Sequence, residues 1–163
     1  MKSTKHHQII VSIYPTSRGL GFSVFDTPKN LLDWGYCDIR FNKKARTIKK
    51  LEALIELYKP HLIVLEDADA ASSRRADRIK KLITALTTTA LNHNVAVQHY
   101  SNEQMSNAFG SKNKHDRARN ISELIPELEP SLPPERRIWN SQHPQIQVFD
   151  AVTLALTFFY LET

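Results

Sequence analysis

The sequence predicts an α/β domain in which an antiparallel meander runs into β-α units, giving a mixed sheet with helices on both faces. Three observations carry this reading. Short β-branched and apolar runs separated by turn residues fill the chain as far as Ile39. Helical spacing then takes over from Ile48. Between helical stretches lies the unbroken apolar run Leu62-Ile63-Val64-Leu65, the pattern of a central parallel strand covered on both sides.

Taken in order, residues 8–14 are the first strand, and Pro15-Thr16-Ser17-Arg18-Gly19 turns the chain. Residues 21–25 form the second strand and residues 32–39 the third, with Asp26-Thr27-Pro28-Lys29-Asn30 between them. Ile48, Leu51, Ile55 and Tyr58 mark a helix that ends before Pro60. After the 62–65 strand, Ile79, Leu82, Ile83 and Leu86 mark the next helix, and residues 95–100 a fifth strand. Ser101-x-x-Gln104 reads as a capping box that opens a short helix. A basic helix is expected over residues 116–125, stopped by Pro126. Residues 127–144 are rich in proline and expected to be irregular; residues 146–160 form the closing helix.

At 163 residues the chain fits one domain, 1–163, with no repeat or linker to divide it. An apolar content of 41% with 24% charged residues is ordinary for a folded domain and argues against disorder. The single cysteine, Cys37, excludes a disulfide framework and a Cys-rich zinc site. The N-terminal lysines are not followed by an apolar stretch long enough for a signal peptide. The most apolar segment, residues 146–161, is shorter than the ~20 residues of a membrane span and contains Asp150. A soluble, cytoplasmic protein is expected. No glycine motif supports a nucleotide cofactor.

The formal charge is +5, and its distribution is uneven. Arg40, Lys43, Lys44, Arg46, Lys49 and Lys50 form one run, which reads as a solvated helix face. Arg74, Arg75, Arg78, Lys80 and Lys81 form a second; Lys112, Lys114, Arg117 and Arg119 form a third. Only Asp77 and Asp116 interrupt these runs, so a phosphate-binding surface is the better reading of the whole, with RNA, DNA and an acidic protein undistinguished by charge.

Two acids stand out. Glu66 follows directly on the 62–65 strand, at the carboxyl end where α/β sheets gather their sites, and an unpaired carboxylate there is costly. Asp150 sits among Val148, Phe149, Ala151, Val152 and Leu154, so a cation or a hydrogen-bonding partner is expected beside it. Metal ligand and structural acceptor are both open to it. Trp139 is open to base stacking or to ordinary packing, and His6 and His7 belong to an N-terminal tail.

These residues resemble the RuvC-type Holliday-junction resolvases of the ribonuclease H-like superfamily. The anchors are Ile13-Tyr14-Pro15-Thr16-Ser17-Arg18-Gly19 with Gly21, then Ile63-Val64-Leu65-Glu66-Asp67. The basic stretch 110–119 and Phe149-Asp150-Ala151 with Leu154-Ala155-Leu156 complete them. The resemblance implies a ribonuclease H-like sheet of five strands in the order 3-2-1-4-5, with strand 2 antiparallel. It implies hydrolysis of phosphodiesters in branched or structured DNA with Mg²⁺ or Mn²⁺, and a homodimer. Four side chains hold the metals in that family: an aspartate ending strand 1, a glutamate ending strand 4, and two ligands three residues apart in the last helix.

Glu66 and Asp150 match two of these positions, as catalytic residues and metal ligands. Tyr14 stands where the first aspartate is expected and Gln147 where an aspartate or histidine is expected. Both are poor ligands for a dication, so the metal site is in doubt. A phenol at position 14 is placed to fill the first metal position and to hydrogen-bond Glu66. Asp26, Asp38, Asp67, His115 and His143 are the residues available to replace the missing ligands. Lys114 resembles the family's basic residue near the scissile phosphate, with a solvated lysine as the alternative. Ser17, Arg18, Arg74, Arg75, Arg78 and Lys112 are the expected nucleic-acid contacts. The alternatives to a nuclease are a nucleic-acid-binding protein that kept the fold and lost catalysis, and an RNA-processing relative.

Overall fold

The β1 strand, Ile10–Pro15, alternates its side chains between two different layers. Val11 and Ile13 pack into one apolar cluster; Ile10 and Tyr14 pack into another on the opposite face. The computed structural model describes residues 8–69, 75–110, 113–134 and 143–162. Around β1 run β2 (Gly19–Thr27), β3 (Asn30–Asp38), α1 (Lys43–Tyr58), β4 (Leu62–Glu66), α2 (Asp77–Asn92) and β5 (Ala96–Tyr100). The chain continues through α3 (Asn102–Phe109), α4 (Lys114–Leu124), a 3-10 segment (Pro126–Ser131) and α5 (Ile146–Glu162).

The five strands lie in the order β3-β2-β1-β4-β5. β2 runs antiparallel to both β1 and β3, whereas β4 is parallel to β1 and to β5. This is the ribonuclease H-like sheet implied by the sequence. Leu51, Leu54 and Ile55 of α1 and Ile79, Ile83 and Leu86 of α2 cover the face that carries Val11, Ile13, Ile63 and Leu65. The other face is covered by α5, with α3 and α4 against it. Gly21 allows that contact: a Cβ there would stand 2.1 Å from the Gln147 carbonyl oxygen, so the backbone of α5 rests directly on β2.

Most element ends follow local chemistry. Ser101 and Gln104 form the expected capping box of α3. α1 ends at Lys59, left-handed at φ 48° and followed by Pro60. α4 begins at Lys114, two residues earlier than the sequence reading, because the Asn113 side chain accepts the backbone N–H groups of His115 and Asp116. The proline-rich stretch is also more regular than expected at its start, where Pro126 initiates the 3-10 segment and Leu128 is buried. Among the described residues, no helix is long and apolar enough to cross a membrane.

Candidate functional site

Strand parity determines which side chains can meet. Tyr14 lies four residues after Ile10, and Glu66 two residues after Val64, so both share the α5 face with those residues. Because β1 and β4 are parallel neighbours, their carboxyl ends lie side by side. Asp150 reaches the same end from the first turns of α5. Its helix is fixed to the strand below by Ser12, whose hydroxyl donates to the Ala151 carbonyl at 2.6 Å and is also bonded to Ser23.

Cations link the three residues. Arg75 Nη1 donates to the Tyr14 phenol oxygen at 3.2 Å, Nη2 donates to the Pro15 carbonyl, and Nε lies 3.4 Å from Glu66 Oε2. Lys114 Nζ donates to the same phenol at 3.3 Å and to Asp150 Oδ2 at 3.1 Å. Arg117 Nη2 donates to Asp150 Oδ1 at 3.3 Å. The Arg75 guanidinium also lies 4.7 Å from the centre of the Tyr14 ring and the Lys114 ammonium 5.0 Å from it. Tyr14, Glu66, Arg117 and Asp150 are all buried.

Burial shapes the titration of the cluster. It raises the Tyr14 phenol above its ordinary value, with the Asp150 charge adding to the effect and Lys114 and Arg75 opposing it. Burial likewise raises Glu66, against the lowering influence of Arg75. For Lys114 burial works downward, but Asp150 and Tyr14 outweigh it and the ammonium is stabilised. The result is a neutral phenol held among side-chain charges.

Tyr14, Glu66, Asp150 and Lys114 are therefore brought together, with Arg75 among them. Arg75, expected as a nucleic-acid contact, has its guanidinium turned inward onto Glu66 and Tyr14. The expected bond from the phenol to Glu66 is replaced by bonds from Arg75 and Lys114. Ser17 and Arg18 are exposed in the turn beside Tyr14, and Arg78 is exposed in the first turn of α2. Arg74, Lys112 and Trp139, like His6 and His7, lie outside the described residues.

Sequence reasoning placed Arg117 in a basic run and missed its role. The signal was its spacing: Arg117 and Ala118 fall on the α4 stripe continued by Ile121 and Ile125, and all four are buried. Also missed was the bridge in which Thr16 Oγ1 donates to Gln147 Oε1 at 2.9 Å, tying the β1–β2 turn to α5.

The donor set does not fit the metals that the resemblance implies. Two carboxylates are present: Asp150 is hydrogen-bonded by two protein cations, Glu66 lies within ion-pair distance of a third without a hydrogen bond at Oε2, and the other two positions are a phenol and an amide. Four of the possible substitutes have partners of their own, and the fifth, Asp26, is remote from the site. Asp38 pairs with Arg40, Asp67 accepts the Asp69 N–H, and His143 accepts the Gln145 N–H. The His115 ring meets the Pro133 carbonyl and Arg119. Asp26 lies towards the far end of β2, opposite the β1 residues that precede Ile10. No group of three or more His, Cys, Asp or Glu side chains suited to a metal occurs among the described residues.

The comparisons agree with this architecture. The RuvC of Thermus thermophilus in complex with a Holliday-junction substrate superimposes with a TM-score of 0.70 at 18% identity, over 96% of this chain and 95% of that one. The fold is that of the RuvC resolvases. A second T. thermophilus RuvC structure gives 0.70 at 16% identity, over 95% of each chain. The yeast mitochondrial Holliday-junction resolvase Ydc2 gives 0.64 at 14% identity, over 94% of this chain and 78% of that one. No family model and no curated protein matches the sequence.

Proposed function

We propose that this chain is a nucleic-acid-binding protein on the RuvC fold, directed at branched or structured DNA, in which two-metal hydrolysis has been given up. The observation that carries the reading is the pairing of both carboxylates with internal cations, Glu66 with Arg75 and Asp150 with Lys114 and Arg117. Metal-assisted cleavage needs free anionic oxygens to hold the ion and activate water. Here a dication would have to displace three protein cations and enter beside a phenol. The exposed Ser17, Arg18 and Arg78, the basic sequence at 74 and 112, and the net charge of +5 support phosphate contacts. A homodimer would present two such surfaces, matching the two-fold symmetry of a four-way junction.

The test is a binding and cleavage series with a labelled four-way junction, a duplex of equal length and a structured RNA. Binding should persist in EDTA, fall steeply with salt, and favour the junction, with no strand cleavage in Mg²⁺ or Mn²⁺. Junction cleavage that Glu66→Gln or Asp150→Asn abolishes would restore the nuclease reading. Preference for the RNA would move the protein to an RNA-processing role, and no binding to any of the three would reject the nucleic-acid assignment.

A further inference from the structure

A cleft of about 260 Å³ opens beside the acidic centre, lined by Thr16, Ser17, Arg18, Lys114, Gln147 and Asp150. Its charge balance is set from below. Arg75, Lys114 and Arg117 face two carboxylates, so the described cluster carries one positive charge in excess and suits an anion rather than a metal ion. Asp150 does not oppose an incoming anion strongly, because Lys114 holds one of its oxygens and Arg117 the other.

Lys114 is the member of the trio that reaches the cleft. Its side chain is 37% exposed, against 3% for Arg117. An ammonium has three N–H groups. Two of them are directed to Tyr14 and Asp150, and the third meets no acceptor among the described residues, where a ligand can take it. Across the opening, Thr16 is held by Gln147, and the Arg18 backbone N–H donates to the Thr16 hydroxyl, so the turn that carries Ser17 and Arg18 is braced against α5. Gln147 contributes an amide to this wall where a carboxylate would repel a phosphate.

We infer that this cleft is a metal-independent seat for a single phosphate group, held by Lys114 with Ser17 and Arg18, while Arg75 and Arg117 neutralise the carboxylates beneath it. In nucleic acid the ligand is one backbone phosphodiester; this rests on the proposed function, but the anion seat itself does not require it. The cations stand in for divalent metals by balancing Glu66 and Asp150, and Lys114 alone among them bonds the ligand.

The probe is inorganic phosphate, added to the full chain in EDTA and compared with chloride at equal ionic strength. Phosphate should raise Tm in the wild type and in the α1 surface variant Lys49→Gln. The rise should disappear in Lys114→Gln and shrink in Arg18→Gln, a change at an exposed turn residue. With junction DNA, Lys114→Gln should weaken binding about tenfold and reduce the slope of log K against log salt by about 0.9, the value for one phosphate contact. A Tm rise that appears only after Mg²⁺ is added overturns the seat. So does a phosphate response that Lys114→Gln and Arg18→Gln both retain, or no response in a wild type that binds junctions normally; in that last case the nucleic-acid assignment still stands. Phosphate binding without junction binding would have the opposite meaning, keeping the seat and rejecting the assignment.

Discussion

The two faces of the sheet are built on different terms. The layer between the sheet and helices α1 and α2 closes mainly on hydrocarbon: Val11, Ile13, Ile63 and Leu65 from the strands against Leu51, Leu54, Ile83 and Leu86 from the helices, with Thr47 buried in α1 and Tyr58 donating to Asp33 as its polar members. The layer under α5 is just as buried but holds Ser12, Ser23, Glu66, Arg117, Asp150, Thr153 and Thr157. Thr153 and Thr157 return their hydroxyls to carbonyls one turn earlier in α5, and Ser12 bridges to Ala151. The polar layer is thus held by named pairs, whereas the apolar layer is held by area and fit. An apolar face survives exchange of one hydrocarbon for another; a paired face is sensitive to loss of one partner.

That difference gives the largest expected effect. Leu86→Ala in the apolar layer should cost about 2–5 kcal/mol through the lost side chain and its cavity. Asp150→Ala removes far less hydrocarbon, yet should cost about 3–5 kcal/mol, because Arg117 is left buried without its carboxylate. Replacing both, Asp150→Leu with Arg117→Leu, should recover much of that loss, since two apolar groups demand no pairing. Lys114 would lose Asp150 in the double variant but keeps the Tyr14 phenol and access to solvent. Urea unfolding of the single and double variants checks the cycle. Additive losses would show that the pair is incidental and that the two layers do not differ in kind.

The same distinction explains what was legible in the sequence. Patterning is written in residue type, so the strands, the helices and the order of the sheet could be read from Leu62-Ile63-Val64-Leu65, from the Ile48–Tyr58 spacing and from the anchors of the resemblance. Tyr14, Glu66 and Asp150 stood out because each sits at the end of a strand or inside an apolar helix. Their partners did not stand out. Arg75 and Arg117 look like their neighbours Arg78 and Arg119 until the fold turns the first two inward and leaves the others exposed. A run of basic residues records charge, and only tertiary contact determines which members of the run become counter-ions.

Glu66 offers a way to sharpen the comparison through pH. Its folded-state pKa is raised, chiefly by burial. A carboxyl whose folded pKa lies above its unfolded value contributes stability while protonated, and that contribution is lost as pH climbs from the ordinary glutamate range through the folded value. Glu66→Gln removes this titration. Relative to wild type, its Tm should therefore improve as pH rises across that window, with the two proteins closest at the acid end. Leu86→Ala, in the layer whose carboxylate, Asp33, is only partly buried, should shift Tm by a similar amount at every pH across that window. Parallel pH profiles for wild type and Glu66→Gln would mean that Arg75 fully offsets the burial of this carboxylate.

The smallest expected effect comes from restoring the missing acids. Tyr14→Asp with Gln147→Asp supplies four carboxylates in the family's pattern, and sequence alone would predict a metal site. The fold predicts otherwise. An aspartate at position 14 falls between Arg75 and Lys114, which already donate to the residue there, so the new charge should be consumed as an ion pair. Millimolar Mg²⁺ should leave the Tm of this double variant almost unchanged. Adding Arg75→Gln and Lys114→Gln removes the competing cations and leaves four acids that repel one another without metal. The quadruple variant should melt lower than the double in EDTA and recover on adding Mg²⁺. At 10 mM ion and a Kd of ~1 mM the gain is about 1.4 kcal/mol, readily seen by calorimetry. A strong Mg²⁺ response already present in the double variant would show that ligand identity alone governs this site. The internal cations would then be passengers rather than the reason that a metal is excluded.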